Sequence, residues 1–115
     1  MARGLNQRDG LNRGEIWLYT FKSPDKRRPV VVLSRQEVIP LLRTVMVAPI
    51  TSAIRGAPSE VVVGIDEGLK AASAINLDHV QTVEKRLLRH FVGTLPRDKM
   101  NQVCHALAIA TGCAG

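Results

Sequence analysis

Residues 29–34 read PVVVLS, and their four consecutive aliphatic side chains constrain this chain more than any other stretch. A strand with one wet face alternates apolar and polar residues. A run without alternation, rich in β-branched residues and bounded by Pro29 and Ser34, belongs to a strand covered on both faces. The fold must therefore supply packing on two sides of a sheet. Immediately before this run stand Lys26, Arg27 and Arg28. They are expected in a loop at the mouth of the strand, either as a merely solvated entrance or as positive charge that a rigid core holds in place for an anionic partner.

At 115 residues the chain is expected to form one domain with a real core. The net charge of +6 is unevenly distributed. Lys22 to Arg43 holds six cations against two acids, and Lys85 to Lys99 five against one, whereas Thr44 to Glu84 holds two cations against five acids. A fold that joins the two basic segments creates a surface for phosphates. No apolar run is long enough for a membrane span, and none follows the basic N-terminus as a signal peptide would, so a cytoplasmic protein without membrane contact is expected. Cys104 and Cys113, nine residues apart on what reads as one helix, are expected to be reduced thiols.

Residues 1–12 lack periodicity and read as a flexible tail before a single domain at 13–115. GEIWLYT gives a first strand, FKSPDKRR a loop and PVVVLS a second strand. EVIPLLR makes an irregular crossing around Pro40, TVMVAPIT a third strand ended by Pro49, and SEVVVG a fourth. IDEGLKAA reads as a turn, SAINLDHVQTV as one long fifth strand, EKRLLR as a helical turn and HFVGTL as a sixth strand. The chain ends in a helix with Pro96 at its first position and Met100, Val103, Leu107 and Ala110 on one face. Short strands followed by one terminal helix predict a mainly β fold, a small and partly open antiparallel barrel closed by that helix. The many valines and few aromatics point to a homodimer covering a residual apolar face.

Several chemistries are disfavoured. His79, His90 and His105 stand apart, without a metal-ligand spacing, so no metal or other cofactor is expected. Ser34 lacks the nucleophile elbow, and Gly64 and Gly68 frame an acidic turn rather than a phosphate loop. Arginine, threonine, aspartate and glutamine around a basic surface suit one reaction well, cleavage of RNA by its own 2′-hydroxyl. The substrate supplies the nucleophile, while the protein orients it and stabilises charge on a five-coordinate phosphorus. Such cleavage leaves a 2′,3′-cyclic phosphate and a 5′-hydroxyl, and DNA is inert to it.

The successive motifs Arg13-Gly14-Glu15-Ile16-Trp17, Arg28-Pro29-Val30-Val31-Val32-Leu33-Ser34, Pro49-Ile50-Thr51-Ser52, and Asn76-Leu77-Asp78 with Gln81-Thr82-Val83 resemble those of the MazF/PemK (Kid) family of toxin endoribonucleases. The resemblance implies an SH3-like barrel of the CcdB/PemK type, a homodimer, and metal-independent cutting of single-stranded RNA at short sequences. It also implies a cognate antitoxin whose acidic C-terminal tail fills the RNA groove. Carried over by position, it implies catalytic roles for Arg28, Thr51 and Asp78. Lys26, Arg27, Ser52, Arg55, His79, Gln81, Thr82, Lys85 and Arg86 become the expected RNA-binding set. His79 shares the expected long-strand face with Ile75 and Leu77, which suits a structural or RNA-contacting role rather than proton transfer. Trp17 and Tyr19 are expected in the core or a dimer interface. The rival readings are a CcdB-like gyrase poison and a non-catalytic RNA-binding module.

Overall fold

Val30, Val31 and Val32 have no exposed surface in the computed structural model, which describes residues 10–21 and 27–113. Their side chains alternate between two cores. Val31 joins Ile16, Ala48, Ile50, Ile75 and Leu77 on one face of the sheet, while Val30 and Val32 join Val45, Val47, Val83 and Leu88 on the other. The strands are β1 (Glu15–Thr20), β2 (Arg27–Val32), β3 (Thr44–Thr51), β4 (Glu60–Val63), β5 (Ser73–Asn76), β6 (Gln81–Glu84) and β7 (His90–Thr94), followed by helix α1 (Arg97–Ala110). The pairs are antiparallel, in the order β4-β5-β3-β2-β1-β7, with β6 added on β3.

The helix covers the first core. Val103 and Ala106 are buried there, with Met100, Leu107 and Ala110 packed alongside, as the apolar spacing predicts. Pro96 is the residue before the helix rather than its first member. At the other end Gly112 takes φ 76°, the Gly112 N–H donates to the Ile109 carbonyl (3.0 Å), and the Cys113 N–H donates to the Ala108 carbonyl (2.7 Å). This double bond pattern is a Schellman stop. Cys113 thus lies beyond the helix instead of sharing it with Cys104, and both thiols are free and exposed.

The turn after β4 brings the two ends of the sheet together. A Cβ placed on Gly93 of β7 would lie 2.2 Å from the Glu67 carbonyl oxygen, and one on Gly68 would lie 2.6 Å from that of Val92. Gly68 also needs its φ of 97°. Backbone-to-backbone approach here closes the partly open barrel along a seam opposite β3.

Four further expectations change. Arg27 and Arg28 belong to β2 itself, because they pair with Thr20 and Tyr19 of β1 and so continue the ladder outward. Pro49 does not end β3. It falls between the β6 pairing, which stops at Val47, and the β5 pairing, which starts at Ile50, where a missing N–H is tolerated. The expected long fifth strand is broken into β5 and β6 by a 3-10 turn at Leu77–His79, capped by the Asn76 side chain. Its cause is the change of partner along β3, since β5 and β6 pair with its two halves. Ordered packing also starts before Arg13: Leu11 is 6% exposed in the second core and the Asn12 N–H donates to Glu15 Oε1 (2.9 Å).

The Arg13-Gly14-Glu15 motif is architectural. Arg13 donates through its guanidinium to the Leu33 carbonyl and to Cys104 Sγ, and Gly14 takes φ 88° while its N–H donates to the Val32 carbonyl (2.9 Å). Glu15 Oε1 accepts from the Trp17 indole N–H (3.0 Å). Trp17 and Tyr19 pack on the second core, Trp17 edge-to-face with Phe91 at 5.6 Å and Tyr19 with Phe21 at 4.9 Å. Among the described residues no helix is long and apolar enough to cross a membrane.

Candidate RNA-cleavage cleft

The second core runs out of apolar side chains at one end of the sheet, and a cleft begins there. Along β2 the buried face reads Val32, Val30 and then Arg28; along β3 it reads Val45, Val47, Pro49 and Thr51. Val30 pairs with Pro49. Arg28 and Thr51 lie two residues beyond that last pair on their strands, and on its other side Arg28 pairs with Tyr19. A cavity of about 330 Å³ opens there, with Arg28, Pro49 and Thr51 along its floor and Phe21 at one side.

The remaining walls come from three other elements. Asn76 of β5 and Glu60 of β4, which pair directly, form one wall. His79 from the 3-10 turn and Gln81 from β6 form the next, and Ala53 and Arg55 from the loop after β3 make the rim. Glu60 Oε1 accepts the N–H groups of Arg55 (3.1 Å) and Gly56 (2.9 Å), so the carboxylate pins the rim loop to β4. The Ala53 N–H donates to Thr51 Oγ1 (3.1 Å), which leaves the hydroxyl hydrogen free to point into the cleft. Among the described residues the one ion pair is Arg86 with Glu84 (2.7 Å) on the exposed surface, so neither Arg28 nor Arg55 is neutralised by a described carboxylate.

Of the residues singled out in the sequence, the cavity therefore collects Arg28, Thr51, Arg55, His79 and Gln81. Asp78 does not line it. Its Oδ2 accepts from Ser59 Oγ (2.6 Å), a bond that ties the 3-10 turn to the start of β4. Arg27, Ser52 and Thr82 are exposed outside the cavity, and Lys85, also outside it, donates through its ammonium to the Ile39 carbonyl. Lys26 lies outside the described residues. His79 is exposed on the turn rather than sharing a strand face with Ile75 and Leu77, because the turn rotates it away from both buried side chains. Glu60 and Asn76 were not expected as site residues; only their cross-strand pairing places them here. Among the described residues no three His, Cys, Asp or Glu side chains gather as a metal site would require.

This arrangement offers fixed positive charge, a neutral hydroxyl donor and several amide and imidazole groups around a space the size of a nucleotide. Known proteins share the fold and much of the sequence. Residues 12–111 match the model of the PemK-like, MazF-like toxins of type II toxin-antitoxin systems. The chain is 44% identical over 104 residues to the probable endoribonuclease MazF5 of Mycobacterium tuberculosis, covering 89% of this chain and 94% of that protein. The solved structure of the Mycobacterium tuberculosis toxin MazF-mt6 superimposes with a TM-score of 0.80 at 33% identity, over 88% of this chain and 99% of the other. A mycobacterial endoribonuclease solved in complex with its cognate antitoxin has the same fold, with a TM-score of 0.82 at 23% identity, covering 92% and 99% of the two chains. A curled antiparallel sheet, a single terminal helix and a family match across nearly the whole sequence lead to one assignment: the chain belongs to the PemK-like, MazF-like toxins of type II toxin-antitoxin systems.

Proposed function

We propose that this chain is a toxin endoribonuclease that cuts single-stranded RNA in the cleft over Arg28 and Thr51, without a metal ion. The observation that supports this reading is that both side chains line one cavity, where no described carboxylate neutralises the arginine. In the reaction the 2′-oxygen attacks phosphorus and the bond from phosphorus to the 5′-oxygen breaks. The proton lost by the 2′-hydroxyl and the proton gained by the 5′-oxygen exchange with solvent in the open cleft. Arg28 supplies forked donors to the phosphoryl oxygens, and Thr51 adds a neutral one, so negative charge on the five-coordinate phosphorus is met by donors already in place. Asp78 is given a positioning role, since its carboxylate holds the turn that carries His79.

The same reading makes the protein a cytoplasmic homodimer neutralised by an antitoxin with an acidic segment. Such a segment satisfies the same cationic floor as a phosphate chain, and exposed Met46 and Phe91 give apolar area for a second copy. The test is cleavage of single-stranded RNA by the pure protein in excess EDTA. Products should carry 2′,3′-cyclic phosphate and 5′-hydroxyl ends, and an absolute need for added Mg²⁺ or Mn²⁺ would reject the mechanism. Arg28→Ala should lower the cleavage rate by about 10²- to 10³-fold, the usual effect of deleting one charge-stabilising donor, with unchanged thermal unfolding. A gyrase poison of the same fold would leave the RNA intact.

A further inference from the structure

Asn76 bridges two groups of the 3-10 turn that follows it. Its Oδ1 lies 2.9 Å from the Asp78 backbone N, and its Nδ2 lies 3.2 Å from His79 Nδ1. The orientation of this amide follows from chemistry. A backbone N–H can only donate, so the atom of Asn76 that faces it must be the carbonyl oxygen. The amide nitrogen then faces His79, and because it too can only donate, Nδ1 must accept. A neutral imidazole whose Nδ1 accepts carries its hydrogen on Nε2. Both Asn76 and His79 line the cavity.

We infer that Asn76 locks His79 in the Nε2–H tautomer, and that this fixed neutral donor reads the edge of one nucleobase beside the cut. The inference rests on the nuclease reading of the cleft. A base, rather than a phosphate, is favoured by the sorting of charge around the cavity. Asn76, the partner of the His79 ring, pairs directly with Glu60, whereas Arg28 lies on β2, a strand that pairs with neither β4, β5 nor β6. A phosphate placed there would meet Glu60. A base edge is uncharged and is read by directed hydrogen bonds, for which a ring held in one tautomer on a capped turn is well suited. Asn76 acts as the positioning residue and His79 as the contact.

The test has two arms. In ¹⁵N-labelled protein at neutral pH, long-range proton–nitrogen correlation should show the His79 ring protonated on Nε2, with the signals assigned by their loss in His79→Gln. Asn76→Asp should move a proton onto Nδ1, since the second carboxylate oxygen accepts where the amide donated. A wild-type ring protonated on Nδ1 would overturn the lock. In the second arm, cut sites in a random-sequence RNA pool are mapped by sequencing 5′ ends. His79→Phe, which keeps a flat ring without a donor, should lose about tenfold in preference at one nucleotide position, the order expected for one lost hydrogen bond, while His79→Gln, which keeps a donor, should retain it. A uniform loss at all sites would mean that the donor meets the backbone, and an unchanged profile that it meets nothing; either overturns the inference while the nuclease reading stands. A wild-type protein that cuts no RNA would defeat both.

Discussion

Among the described residues that line the cleft Glu60 is the one acid, and its hydrogen bonds explain its presence. One carboxylate oxygen holds two backbone N–H groups of the rim loop. A glutamine can accept the same two bonds through its carbonyl, so Glu60→Gln should keep the loop in place while removing a negative charge from the wall. Tighter RNA binding with unchanged thermal unfolding is expected, measured by fluorescence anisotropy and calorimetry. Glu60→Ala leaves both donors without their protein acceptor and should cost about 1–2 kcal/mol of stability, moderated by water at this half-exposed site. Weaker binding by the glutamine variant would mean that the charge itself contacts the ligand.

At the scale of elements, the seam between the turn after β4 and strand β7 depends on two absent side chains. Gly93→Ala places a methyl group 2.2 Å from the Glu67 carbonyl oxygen, so backbone must move. A loss of about 1–3 kcal/mol is expected from overpacking of this kind, seen as a lower melting temperature in circular dichroism. Gly10→Ala meets nothing within 4 Å and serves as the neutral control. How far sequence reveals such features depends on their range. The buried valine run, the apolar face of α1 and the strands at both ends of the sheet are local patterns, and each is legible in a few consecutive residues. The break at Leu77–His79 shows only as a slip of the apolar spacing from Leu77 to Val80, and it is the change of partner along β3 that demands it. The cleft divides in the same way. Arg28 and Thr51 stand out beside their strands, but Glu60 and Asn76 join them through a register that one sequence does not display.

For the whole molecule, the net charge of +6 and a cleft arginine that no described carboxylate neutralises should make binding of single-stranded RNA strongly dependent on salt. Each phosphate contact removed should flatten the slope of log affinity against log salt by about 0.7. Arg55→Ala is expected to do so by removing one contact, whereas Thr51→Ala should slow cleavage and leave the slope unchanged; anisotropy across a salt series separates the two. The pairing of β1 with β7 has a consequence of a different kind. The strand near the start of the chain finds its outer neighbour only at residues 90–94, and the first core is covered only by α1 after them. Every described residue that lines the cleft is made earlier, between positions 21 and 81. Contacts of such long sequence separation form late, so a nascent chain that has displayed all its cleft residues still lacks the strand and helix that hold them in register. A chain truncated after Arg89 should be unfolded by circular dichroism and should cut no RNA. RNA cutting by a newly made chain is therefore expected to begin only after helix α1 has been made and has docked on the first core.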